Sequence, residues 1–159
     1  ADCPLLAAIS SASIPNIARN EPQTLANLAW SFATLSVIDR PLLDALSAAS
    51  IAKIRHFSQQ NLANPAWAFA NIEVVPHPLM DSIAASAIHT IQDFVPRGLA
   101  NPSWAFATIA VAHAPLLHAI AASSIATISQ FTPQNVANTA WSFATLWVRD
   151  HGPLVPAIA

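Results

Sequence analysis

The sequence predicts an all-α fold, an α-solenoid of about four helix-turn-helix repeats of 37–38 residues, incomplete at both ends. Three observations carry that prediction. Trp30, Trp67, Trp104 and Trp141 stand at a constant spacing of 37 residues. Each lies in the same phrase: Leu-Ala-Asn-Leu-Ala-Trp-Ser-Phe-Ala (25–33), Leu-Ala-Asn-Pro-Ala-Trp-Ala-Phe-Ala (62–70), Leu-Ala-Asn-Pro-Ser-Trp-Ala-Phe-Ala (99–107) and Val-Ala-Asn-Thr-Ala-Trp-Ser-Phe-Ala (136–144). Within each unit, two apolar runs follow helical spacing. A fixed period of this length marks units that bury their apolar faces only against their neighbours. One helical-repeat domain over 1–159 is expected, with a partial repeat at 1–19, repeats at 20–56, 57–93 and 94–130, and a last incomplete repeat at 131–159.

Residues 4–19 match 41–56, so the chain is expected to enter at the second helix of a repeat. The first helix of each following unit comes after Glu21-Pro22, Ser58-Gln59, Val95-Pro96 or Thr132-Pro133. Proline suits a first helical position, and Ser, Thr or an acid before it can cap the helix. In the unit around Trp67, Leu62, Ala66 and Phe69 fall at i, i+4 and i+7, with Ala63, Trp67 and Ala70 alongside. That broad apolar stripe predicts a buried face. Its alanines predict close approach of the neighbouring helix, and the Trp–Phe pair is expected to fill the core.

The second helix is expected to begin near Pro41, Pro78, Pro115 and Pro153. It runs through Leu43-Leu46-Ile51-Ile54, Met80-Ile83-Ile88-Ile91 and Leu117-Ile120-Ile125-Ile128, and Phe57, Phe94 and Phe131 close these units. Short connections such as 36–40 favour antiparallel pairs. Pro65 and Pro102 fall well inside the first helix, where proline removes a backbone hydrogen bond. A kink, or a preliminary turn with a restart capped by Asn64 and Asn101, is expected there.

Composition narrows the function. Hydrophobic residues make up 54% of the chain and charged residues 9%, with six Lys plus Arg against eight Asp plus Glu. That balance speaks against a surface built to neutralise many phosphates. Cys3 is alone, so no internal disulfide forms, and no segment resembles a signal peptide; secretion is not expected. Residues 106–128 hold no Asp, Glu, Lys or Arg, long enough for a membrane-spanning helix. The equivalent stretches hold Glu73, Asp81 and the Pro76-His77-Pro78 break, or Asp39, Arg40, Asp44 and Lys53. Equivalent units share a fold, so no transmembrane span is expected.

No catalytic residues are proposed, because no Ser/His/Asp or Cys/His arrangement occurs and glycine is present only at Gly98 and Gly152. The six histidines follow no metal-ligand spacing, so no metal or cofactor is expected. Candidate contacts to a partner or to RNA are Asn27, Asn64, Asn101, Asn138, Lys53, Arg55 and Trp147. The repeated asparagines form a polar stripe with Ser31 and Thr34, or with Asn71. Such a stripe could reach a base edge, but capping helices or tying repeats together is the favoured role. The repeated tryptophans could stack bases, but core packing is favoured. Variation between repeats sits at the end of the second helix, where Lys53, Arg55 and His56 give way to Thr90, Gln92 and Asp93, then to Thr127, Ser129 and Gln130. Trp147 stands where Ser36, Glu73 and Ala110 stand in other repeats. It suits either an anchor for a partner or a cover for the last repeat.

The Leu-Ala-Asn-x-x-Trp-x-Phe-Ala core in paired helices resembles the octotricopeptide repeat family known from algal organelles. The resemblance covers nearly the whole chain. It implies an α-solenoid in a plastid or mitochondrion, with organellar RNA binding, processing or translation control as the family's role.

Two functions follow. The leading one is a non-enzymatic scaffold or adaptor that binds protein subunits of a larger organellar complex, membrane-associated complexes included. It rests on the absence of Asp, Glu, Lys and Arg between Gly98 and Val148, a neutral exterior that suits coverage by a partner. The alternative is an octotricopeptide-like RNA binder.

Overall fold

A computed structural model describes the backbone of residues 4–151 and the side chains of residues 4–146. All described regular structure is helical. The order is α1 (Pro4–Ser13), α2 (Pro22–Thr34), α3 (Arg40–Lys53), α4 (Gln59–Asn71), α5 (His77–Thr90), α6 (Pro96–Thr108), α7 (Ala114–Thr127) and α8 (Pro133–His151). Short 3-10 segments follow α1 (Ile14–Arg19), α3 (Ile54–His56), α5 (Ile91–Asp93) and α7 (Ile128–Gln130). The starts of α2, α4, α6 and α8 are separated by the same 37 residues as the tryptophans, and so are those of α3, α5 and α7. The second helix expected at Pro153 lies outside the described residues.

Helix starts follow the local chemistry. Pro22 and Pro96 open α2 and α6 directly. At α4, Ser58 and Asn61 form a reciprocal capping box: the Asn61 amide donates to Ser58 Oγ (3.3 Å) and the Ser58 amide donates to Asn61 Oδ1 (3.2 Å). On α3, Asp39 Oδ1 accepts from the Leu42 amide (3.0 Å). At the matching place on α7, His113 Nδ1 accepts from the Leu116 amide (3.2 Å). The cap belongs to whichever side chain offers an acceptor, which no histidine-spacing argument would find.

The first helices stop in one shape. Ser36, Glu73 and Ala110 have φ of 53°, 55° and 57°. The amides of Val37, Val74 and Val111 return to the carbonyls of Phe32, Phe69 and Phe106 (2.9, 3.0 and 3.0 Å). Those of Ser36, Glu73 and Ala110 bond Ala33, Ala70 and Ala107. This is the Schellman arrangement, formed here without glycine at its left-handed position, at a cost of about 1–2 kcal/mol per turn. In the fourth unit no such stop occurs: α8 continues as helix through the position of Trp147 to His151.

Helices α2, α4, α6 and α8 lie side by side in one row and pack along their lengths, while α3, α5 and α7 form a second row with sparser contact. Alanine explains the close row. Ala26, Ala33, Ala66, Ala70, Ala105 and Ala107 are fully or almost fully buried. Between the rows lie Leu25, Leu62 and Leu99, with Phe32, Phe69 and Phe106 and, from the second helices, Leu42, Leu46, Leu79, Met80, Ile83, Leu116 and Ile120. Phe57 and Phe94 are buried and Phe131 half-buried, so they close the units as expected.

Three expectations change. Pro65 and Pro102 do not restart a helix: α4 and α6 run through them, and both prolines are buried in the row. Asn64 and Asn101 are therefore mid-helix residues and cap nothing. The tryptophans flank the core and do not fill it, Trp67 and Trp104 packing against its edge. Trp30 and Trp141 are 46% and 48% exposed, Trp67 and Trp104 half-buried, while Phe32, Phe69 and Phe106 are at most 2% exposed. Trp and Phe two residues apart point to nearly opposite sides of a helix, so one core takes only one of them. Finally, Ile125 and Ile128 are 76% and 55% exposed. Their equivalents Ile88 and Ile91 are half-buried and buried, because another second helix, α7, follows α5 and packs on it.

Candidate functional site

The tryptophans define the open face of the first-helix row. Residues at i, i+4, i+7 and i+11 share one side of a helix. On α2 these are Gln23, Asn27, Trp30 and Thr34; on α4, Gln60, Asn64, Trp67 and Asn71; on α6, Arg97, Asn101, Trp104 and Thr108; on α8, Gln134, Asn138, Trp141 and Thr145. Side-by-side helices turn these columns into rungs that cross all four repeats. A groove of about 260 Å³ follows them, lined by Trp30, Asn64, Trp67, Arg97, Asn101, Trp104, Gln134 and Asn138. A second hollow of about 340 Å³, at the starts of α4 and α6, shares Asn64, Arg97 and Asn101 with it.

The aromatic rung is grouped in twos. Trp30 and Trp67 have ring centroids 6.4 Å apart with planes at 33°, and Trp104 and Trp141 lie 6.5 Å apart at 30°. Among the described residues Trp67 and Trp104 form no such pair.

The asparagine rung is nearly free of protein partners. Asn27 Oδ1 accepts from Gln23 Nε2 (2.9 Å) within its own helix. Among the described residues, no protein hydrogen bond is made by the side chains of Asn64, Asn101 or Asn138. The structural work expected of them is done by others. Asn61 Nδ2 donates to Gln23 Oε1 (3.0 Å), tying α4 to α2. Asn71 Nδ2 donates to the Ala33 carbonyl (3.0 Å) at the end of α2. Gln59 Oε1 accepts from the Val95 amide (3.1 Å) at the start of α6. Gly98 makes room for this last contact: a β-carbon there would overlap Gln59 Oε1. Asn61 and Gln59 were missed in the sequence because their columns change identity between repeats (Thr24, Asn61, Gly98, Asn135).

Lys53 and Arg55 do not join this face. Lys53 Nζ donates to the Asn20 carbonyl (2.8 Å), ending the 3-10 segment of the preceding unit. Arg55 borders a separate hollow of about 580 Å³ with Ile54, Phe57, Ser82, Ser86 and His89 on the second-helix side. The side chain of Trp147 lies outside the described residues. Arg97 is therefore the one charged residue lining the groove. Asparagine amides and exposed indole faces give such a groove hydrogen-bonding edges and flat apolar platforms rather than an electrostatic track.

Among the described residues no three His, Cys, Asp or Glu side chains cluster as metal ligands, and no helix is long and apolar enough to cross a membrane. No individual curated protein aligns significantly with the chain. Compared with protein-family models, residues 5–158 match the one described as RESC6, RNA-editing substrate-binding complex 6 protein. With nearly its entire length matched, the chain belongs to the RNA-editing substrate-binding complex 6 protein family.

Proposed function

We propose that this chain is a non-enzymatic helical-repeat scaffold, a subunit that binds other proteins within an RNA-editing assembly. The observation that carries this reading is the family match across residues 5–158, on a chain built of packed helical repeats. The neutral stretch from Gly98 to Val148 supports apolar docking in place of charge pairing. An RNA-editing assembly favours an organellar setting, a mitochondrion over a plastid.

The test uses Ala122, which is exposed on α7 and outside the core. Ala122→Arg leaves the fold intact and places an unpaired charge on the neutral face. Its co-purification with partner proteins is expected to fall by about tenfold or more, as a desolvated charge requires. Undiminished association would count against docking on this face.

A second reading is favoured by the groove. The asparagine and tryptophan rungs lie in the open and in register, as a single-strand binder of the octotricopeptide type would place them. The chain would then contact RNA itself as well as hold proteins.

A further inference from the structure

We infer that the Asn–Trp groove seats single-stranded RNA and selects a tract of one repeated base. The inference rests on the second reading above and adds the class of sequence bound. Its first support is the pairing of functions on one face: each helix of the row offers an amide and, one turn on, an indole. In α4 and α6 the amides of Asn64 and Asn101 have no partner among the described residues, and both line the groove with Trp67 and Trp104. An amide presents a donor and an acceptor side by side, which matches the edge of a base, while the indole supports its flat face.

Identity of the rungs supplies the specificity. Helical-repeat proteins that read mixed sequences change the reading side chains from repeat to repeat. Here position 27 and its equivalents 64, 101 and 138 are all Asn, and position 30 and its equivalents are all Trp. Asn64, Asn101 and Asn138 line the groove as identical readers in register, which favours the same base at each. The charge of the groove sets the salt dependence. With Arg97 its one lining cation, few counterions are released, and affinity comes from stacking and amide contacts.

The experiment measures binding of the full chain to labelled single-stranded RNAs of about 8–12 nucleotides, made of A, C or U alone or of mixed sequence. Anisotropy and intrinsic tryptophan fluorescence are read together. One homopolymer is expected to bind at least about tenfold more tightly than the mixed sequence, with quenched tryptophan emission. The slope of log affinity against log salt is expected to be shallow, about −0.7 for a single phosphate contact. The double variant Asn64→Ala/Asn101→Ala, on two half-buried positions, is expected to lose the preference while still quenching. Trp104→Ala should weaken every RNA by roughly tenfold, with helicity checked by circular dichroism. RNA bound without base preference, or a preference unchanged in the asparagine variant, overturns this inference and leaves the RNA reading standing. No anisotropy change and no quenching with any RNA overturns both, leaving the groove to a protein partner.

Discussion

Phe69→Ala is expected to destabilise the chain by about 3–5 kcal/mol, the range for emptying a fully buried aromatic site. Phe69 is 1% exposed and sits between Phe32 and Phe106 in the sequence of repeats, each equally buried. A solenoid unit is held only by itself and its two neighbours, so a cavity in the middle unit weakens both interfaces. Against a typical stability of about 5–15 kcal/mol, that loss brings the domain close to unfolding. The control is Trp30→Ala, two residues before Phe32 on α2, which is expected to cost within about 1 kcal/mol as a surface change. Denaturant titration of both variants decides the matter. A Trp30 variant as damaged as the Phe69 variant would show that the indoles, and not the phenyl rings, hold the array.

Ala66→Leu is expected to cost about 1–3 kcal/mol by overpacking. Ala66 is fully buried in α4, and its equivalents Ala29 and Ser103 are buried too. Small side chains at this column let α2, α4 and α6 approach closely, and α4 has a neighbour on each side. Three extra carbons must push one of them away. For a domain of this size the melting temperature should fall by about 2–4 °C per kcal/mol. Since the rungs of the groove depend on the same spacing, the Trp30–Trp67 contact at 6.4 Å should also open. An unchanged melting temperature would mean that the row is looser than its alanines imply.

Much of this architecture was legible in the sequence. The 37-residue period, the prolines at Pro22, Pro41, Pro78, Pro96 and Pro133, and the apolar spacing gave the helices and their order. Period alone says which residues are equivalent; it does not say which way they face. The angular relation was available. Leu25 and Phe32 are seven residues apart and share a side, whereas Trp30 is in phase with Asn27 and Thr34. Reading Trp as core put the largest hydrophobic residue inside and ignored that phase. The restart expected at Pro65 and Pro102 does not occur: local propensity disfavours proline mid-helix, but burial in the first-helix row holds α4 and α6 as single helices through them. The ties made by Asn61, Gln59 and His113 were out of reach, because each depends on a geometry that one repeat has and the next replaces. For Lys53, charge suggested a ligand contact, while the fold uses its ammonium on a neighbouring carbonyl.

We propose that this helical-repeat chain works as a subunit of an RNA-editing assembly. Purifying the native protein from its source, with and without ribonuclease, and identifying what accompanies it tests that claim most directly. The expected result is a fixed set of proteins that stays bound after digestion, with any RNA recovered from the undigested sample held on the groove face. A protein that travels with no stable set of partners before or after digestion would contradict it.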